Sequence, residues 1–304
     1  MRKPFRAGGV AVGALAIALT AAAFAPASAA VTTVTSSKVP ASIQPSTPLK
    51  AVGARPGAAA AATWVTSLQS VNWAGYAASL GTTTFRFVSA HFKVPALDCT
   101  GVTAPAGAWS AHWVGLDGFR STSRTVEQTG LVAACDGITP VYAPFWEMFP
   151  NAPGYPSITV NPGDAISVSV YYNRSTRKFT LTFSDTTNGQ HFTRTRACPA
   201  GATCRRNSAE AISEAPFDAT TSTILPLADF HTARFANVAI TNTSGTHRGG
   251  LRSSFWNTFK IIQVSDGTNT TITGDPITAG TVLDSPTSLS LKRTFTDRWA
   301  AANG

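Results

Sequence analysis

An all-β fold, an antiparallel sandwich of two large sheets in the concanavalin-like or jelly-roll-like manner, is predicted by three observations. Apolar and polar residues alternate with a period of two through most of the chain after Val71. The alternating runs are short and are separated by the turn sequences "NPGD", "TTNG", "NTSG" and "SDGT". No window carries an apolar stripe of helical period long enough to make a helix.

The elements follow in order. "TFRFVSAHFKV" sets Phe85, Phe87 and Ser89 on one face against Arg86, Val88 and Ala90 on the other, and Pro95 breaks the pattern that follows. Proline cannot donate to a ladder, so a strand ends before it. "ISVSVYY", "KFTLTFS", "HFTRTR", "ARFANVAI", "FKIIQV" and "TTITG" repeat the alternation, each beside a turn sequence. Strands of this kind bury one face against a second sheet and leave the other free. No internal repeat of solenoid or propeller period is present.

The N-terminal part reads differently. Arg2, Lys3 and Arg6 precede an alanine-rich apolar run from Gly8 to Phe24, and Ala27-Ser28-Ala29 supplies small residues for cleavage. That is the pattern of a signal peptide over residues 1–29, of bacterial type, and it predicts secretion. The run is too short and too rich in alanine for a membrane anchor, so no span is expected in the mature protein. Residues 30–68 are rich in Ser, Thr, Pro, Ala and Gly and are read as a propeptide or linker, largely disordered. Residues 69–304 form a single predicted domain.

Charged residues make up 13% of the chain and the formal charge is +9, or +6 once Arg2, Lys3 and Arg6 are removed (9 − 3). Arg205-Arg206 and Lys292-Arg293 are the basic doublets, and no basic block is interleaved with aromatics, so nucleic acid is not an expected partner. Four cysteines in an exported chain predict two disulfides. Of three connectivities, Cys99 with Cys135 and Cys198 with Cys204 is favoured, the second closing a short loop. No Cys-x-x-Cys or histidine pair suggests zinc.

Several common catalytic signatures are absent: a Gly-x-Ser-x-Gly elbow, His-Glu-x-x-His, a Walker loop and Gly-x-Gly-x-x-Gly. What remains are polar residues within apolar segments. Asp117 lies in a glycine-flanked turn after Trp113, Val114 and Leu116. Glu147 shares a strand face with Phe145 and Phe149. Glu210 and Glu214 share a face with Ile212, and Gln128 ends the run "SRTVEQ". A charged group on an apolar face is costly unless paired or functional. Each also has a structural reading: a turn-holding aspartate for Asp117, a solvated outer face for Glu147, edge charges for Glu210 and Glu214, and a hydrogen-bonding amide for Gln128.

Taken together, "NWAGY" (Asn72 to Tyr76), "HFKVP", "WVGLDG" (Trp113 to Gly118), "EQTG" (Glu127 to Gly130), "FWEMFP" (Phe145 to Pro150) and "AEAISEAP" (Ala209 to Pro216) resemble, in the same order, the motifs of the glutamic peptidases, or eqolisins (family G1). The resemblance implies a β-sandwich endopeptidase acting through activated water on protein or peptide substrates, without covalent intermediate, metal or cofactor. It places the catalytic residues at Gln128 and Glu214, with Trp73, Trp113, Asp117 and Glu147 in substrate-binding or supporting positions. A monomer is expected. The chain departs from the family at Ala211, Ser213 and Ala215, which stand for a tryptophan, an aliphatic residue and an aspartate, and at Phe145 and Phe149, which lack hydroxyls. A non-catalytic carbohydrate- or peptide-binding sandwich is the alternative. Glycoside hydrolysis by Glu147 and Glu214 ranks below both, because it leaves Gln128 without a task.

Overall fold

The computed structural model describes Met1 and residues 39–53, 65–103 and 107–300; apart from Met1 these belong to one compact unit, Thr33–Gly304. The expected signal segment lies outside the described residues, Met1 apart. In chain order the strands are β1 (Ile43–Gln44), β2 (Ala51–Val52), β3 (Val65–Ser70), β4 (Trp73–Ser79), β5 (Phe85–Lys93), β6 (Ala108–Leu116), β7 (Val126–Asp136), β8 (Thr139–Phe149), β9 (Ala165–Asn173), β10 (Lys178–Asp185) and β11 (His191–Ala197). There follow β12 (Ala209–Glu214), β13 (Phe217–Asp218), β14 (Thr223–Ile224), β15 (Thr232–Asn242), β16 (Arg248–Gly249), β17 (Asn257–Val264), β18 (Val282–Pro286) and β19 (Phe295–Trp299). No helix occurs among the described residues.

Hydrogen bonding runs along the path β11-β10-β9-β5-β15-β19-β18-β17-β4-β12-β6-β7-β8, antiparallel throughout, while β3 joins β17 in parallel. The corner of the sandwich is β15. Thr232–Phe235 pair with β19, and the residues from Ala236 onward pair with β5 after a register shift between Ala236 and Ala239. Asn237 adopts φ 55° at that shift. A bulge of this kind bends a strand from one sheet into the other.

Alternation then gives the strands β4, β12, β6, β7 and β8 two buried faces. Toward the other layer, Tyr76, Val114, Leu131, Ala133, Met148, Ala209 and Ala211 pack with Val88, Val168, Phe179 and Phe183. On the opposite face, Trp73, Ala111, Trp113, Val132, Phe145 and Ile212 form a second cluster together with Val39, Ile43 and Leu49. A surface that would otherwise be solvated is thereby covered by residues before β3. The expectation of a largely disordered leader therefore fails for residues 39–53: β1 pairs with β13, β2 pairs with β3, and Leu49 is wholly buried. The composition of the segment is polar, but Ile43 and Leu49 are spaced to reach the apolar face. Each such side chain contributes about 1.5–3 kcal/mol when fully buried.

The alternating run "TTITG" also departs from expectation. Residues 271–274 form a turn, in which Thr271 accepts the Gly274 N–H through its carbonyl and the Asp275 N–H through its hydroxyl. Threonine hydroxyls offered the backbone a local partner in place of a ladder. Both disulfides form as favoured, Cys99–Cys135 and Cys198–Cys204.

Gly75 shows why "NWAGY" needs its glycine. Its φ is +127°, and a Cβ there would lie 2.4 Å from the Ala211 carbonyl oxygen of the neighbouring strand. Gly75→Ala is expected to destabilise the fold by about 3 kcal/mol from strain and overpacking combined. A thermal melt of the variant within a degree of wild type would contradict this.

Polar groups also lie within the layers. His112 contacts Ser110 at 3.3 Å and Ser213 at 3.0 Å, and the Ser213 hydroxyl donates to Asp297 at 2.7 Å. Burial lowers His112 to about 3 and raises Asp297 to about 8; Asp284 is raised well above its ordinary value by burial and by the Asp297 charge. Asp117, Glu127, Glu147, Glu210 and Glu214 have no exposed surface either, and burial is the largest cause raising each of them.

Raised folded values mean that the folded state holds more protons than the unfolded chain. Stability is then complete below the unfolded carboxyl values near pH 4 and is lost as pH rises through the folded ones, which for Asp297 is about 8. His112 opposes this trend only below its ordinary 6.5. The urea midpoint is expected to fall between about pH 4 and 8, and to fall less in Asp297→Asn. A midpoint independent of pH across that window would rule out the carboxyl linkage.

Candidate active site

The site is built on the leader-covered face of β4, β12, β6, β7 and β8. Strand register fixes its layout: Glu214 stands opposite Trp73 on β4 and Ala111 on β6, while Gln128 stands opposite Gly115 on β6 and Glu147 on β8. Gly115 in turn faces Glu210, so Glu214 lies four residues further along β12 than the Gln128 row. Trp113 spans the offset from its place between Ile212 and Gly130. Two glycines make room for it. A Cβ on Gly115 would come within 2.8 Å of the Trp113 ring, and one on Gly130 within 2.6 Å of the Trp113 Cβ.

Glu214 is held on every side. Its Oε1 accepts Asn72 Nδ2 at 2.9 Å and the Thr47 amide at 3.2 Å, and its Oε2 accepts Trp113 Nε1 at 3.2 Å. Burial raises its carboxyl well above the ordinary range, against the lowering effect of hydrogen bonds from Ser46, Thr47, Asn72 and Trp113. Trp73 packs edge-on to Trp113 with ring centroids 5.0 Å apart. Asn72 also takes part in fixing the entering chain, since its Oδ1 accepts the Lys50 N–H at 2.8 Å.

Gln128 donates from Nε2 to Glu147 Oε2 at 2.5 Å, and its Oε1 has no hydrogen-bond partner. Glu147 is raised well above its ordinary range by burial first and the Glu214 charge second, opposed by hydrogen bonds from Gln128 and the Ser46 backbone. With Glu214 ionised, burial and its charge together disfavour a second charge on Glu147. The leader reaches the site at Ser46 and Thr47: the Ser46 hydroxyl donates to the Thr47 carbonyl at 3.3 Å while the Thr47 amide holds Glu214.

The structure brings Trp73, Trp113, Gln128, Glu147 and Glu214 to one face, and Asp117 follows just past the Gly115–Gln128 row, away from Glu214. Asp117 follows β6 at φ 72° and accepts the backbone N–H groups of Arg206 at 2.6 Å and Asn207 at 3.0 Å. These bonds anchor the segment that enters β12, at the Ala209 end rather than the Glu214 end. Glu127, raised by burial and by the Asp117 charge, has both carboxyl oxygens unpartnered and points away from the Gln128 face, while Glu210 stands in the same row as Gln128, across Gly115.

Sequence reasoning missed Asn72, Tyr155 and the leader residues Ser46 and Thr47. Asn72 was within reach, because it begins "NWAGY" beside Trp73. Tyr155, whose hydroxyl donates to the Ile43 carbonyl at 3.1 Å, belongs to no alternating run and gave no signal. Among the described residues no group of three or more His, Cys, Asp or Glu is placed to hold a metal ion, and no helix is long and apolar enough to cross a membrane.

Comparison with known proteins now bears on the arrangement. The model of the Peptidase A4 family matches residues 71–282, which include the strands that carry Trp73, Trp113, Gln128, Glu147 and Glu214. The chain is similar in fold to a scytalido-glutamic peptidase solved with a transition-state analogue inhibitor: 22% identity, 76% of this chain and 98% of that one covered, TM-score 0.59. It is similar also to SCP-B, an eqolisin-family peptidase solved with the tripeptide Ala-Ile-His, at 22% identity, 76% and 98% coverage and TM-score 0.54. No curated protein matched the sequence. A family match over most of the chain and a shared β-sandwich make it a member of the Peptidase A4 family, a hydrolase of the glutamic peptidase type.

Proposed function

We propose that the chain is an exported, monomeric endopeptidase in which Glu214 and Gln128 act as a pair on a water molecule, without a covalent intermediate. Glu214 serves as general base: it takes a proton from the water as that water attacks the scissile carbonyl, and returns it to the leaving amine. Gln128 cannot accept the proton. Its amide N–H stabilises the developing oxyanion and its Oε1 orients the water.

The observation that carries this reading is the shared face, on which a wholly buried carboxyl and a wholly buried amide sit with Glu147 and the Trp73–Trp113 pair. Glu147 fixes the direction of the amide by accepting from Nε2, which leaves Oε1 open to a water. Burial raises both carboxyls, and the Glu214 charge raises Glu147 further, so Glu214 is the one of the two that is left to ionise and work as the base. An extended peptide suits the face, since apolar walls from Trp73, Trp113 and Phe145 can hold its side chains. Export rests on the leader pattern and on two disulfides, which persist in oxidising compartments. The scheme calls for no metal and no cofactor.

Glu214→Gln and Gln128→Ala are each expected to slow digestion of casein at least about 1,000-fold. Circular dichroism should find both variants folded. Wild-type rates in either variant would remove that residue from the mechanism.

A further inference from the structure

The doublet Arg205-Arg206, which the proposed chemistry leaves unused, borders a cavity of about 630 Å³ at the end of the sheet where β4 and β6 leave and β12 enters. Its walls are the turn after β4 at Gly81 and Thr82, the segment after β6 that carries Arg120, and the segment before β12 that carries the doublet. Three guanidiniums stand around it, and no Asp, Glu or His among the described residues lines it.

Each guanidinium is held, yet none is neutralised. Arg120 Nη1 donates to the Gly81 carbonyl at 2.6 Å and Arg205 Nε to the Thr122 carbonyl at 3.1 Å, which fixes both forks and leaves their other N–H groups free. Arg206 lies over the Tyr172 ring, its Cζ 3.8 Å from the centroid, and its Nε and Nη1 are buried without an acceptor. No carboxylate among the described residues forms an ion pair with any of the three. Asp117, beside this segment, turns its oxygens to the backbone N–H groups of Arg206 and Asn207. The Cys198–Cys204 disulfide closes the loop just before Arg205, and the Asp117 bonds hold Arg206 at φ 54°. Like charges fixed side by side repel, and a cleft of one sign focuses its field on small ions of the other.

We propose that this cavity is a binding site for a phosphate group borne on a small organic body. Guanidinium forks match phosphate oxygens in pairs. Three positive charges favour a dianion over a carboxylate, which brings a single charge. The volume is that of a small-molecule site and exceeds what phosphate alone fills, and hydroxyl-bearing Thr82, Thr84 and Thr203 line the remainder. The site lies past the Gln128 row and does not depend on the Glu214 and Gln128 reading given above.

The test is calorimetric titration of the full chain in low-salt buffer with inorganic phosphate, glycerol 2-phosphate and acetate. One saturable site is expected for both phosphates and none for acetate. Affinity is expected to fall at least about tenfold as the phosphate loses its second charge below about pH 6. Arg120→Gln and Arg205→Gln are each expected to weaken phosphate about tenfold, and together to abolish saturation. Lys292→Gln/Arg293→Gln removes the same charge from the other basic doublet and is expected to bind as wild type does.

An equal loss in the two double variants means general attraction to a basic chain and overturns the site. So does the absence of saturation with both phosphates in wild type, or acetate binding as tightly as phosphate. Exclusion of glycerol 2-phosphate where inorganic phosphate binds overturns the room claimed for an organic body.

Discussion

A carboxyl stripped of water costs several kcal/mol unless neighbouring donors replace its hydration. Glu214 meets that cost with an amide side chain from Asn72, an indole from Trp113 and a backbone N–H from Thr47. These donors come from β4, from β6 and from the leader, so three separate parts of the chain must be in place before Glu214 is accommodated. Trp113 reaches it because Gly115 leaves space beneath the indole and Gly130 lets β7 come close to the Trp113 backbone. Asn72 reaches it only because Gly75 lets β4 run close against β12. The glycines and aromatics of the separate motifs are therefore parts of one arrangement around a single carboxyl.

The face has two chemical ends. At the Glu214 end, donors from Asn72, Trp113 and Thr47 surround a carboxyl. At the other end Gln128 donates to Glu147 in the row that also holds Glu210, and just past that row Asp117 takes backbone N–H groups from the segment entering β12. Acid residues stand at both ends, yet they do unlike work: Glu214 is ringed by donors, while Asp117 ties a loop to a strand.

Alternation made the sandwich legible because burial on both sides of a sheet writes a period of two into the sequence, as in "ISVSVYY" and "KFTLTFS". It misled at "TTITG", where β-branched residues of strand character bond their own backbone and turn. The pairing of Cys198 with Cys204 was readable from a short loop. Gln128 and Glu214 drew attention only through their company, since nothing in "SRTVEQTG" alone sets its amide apart, and what the structure adds is that both are wholly buried on one face. Which end of the face Asp117 joins was not readable: register sets it just past the Gln128 row rather than near Glu214, and register depends on contacts distant in sequence. The leader escaped because composition averages over a window, whereas docking requires only two well-spaced apolar side chains and a few donors.

The strand that carries Glu214 is gripped from behind as well. Ser213, the preceding residue, faces the interior and is fixed between His112 and Asp297. Adjacent residues thus point to opposite faces, and both are pinned. A floor clamped on its two sides has little room to reorganise when a peptide arrives or departs, so its dipoles are already aimed before any charge develops. Adaptation to different sequences then falls to the walls and to whatever lies across the cleft, while the Glu214 carboxyl keeps one position for them all.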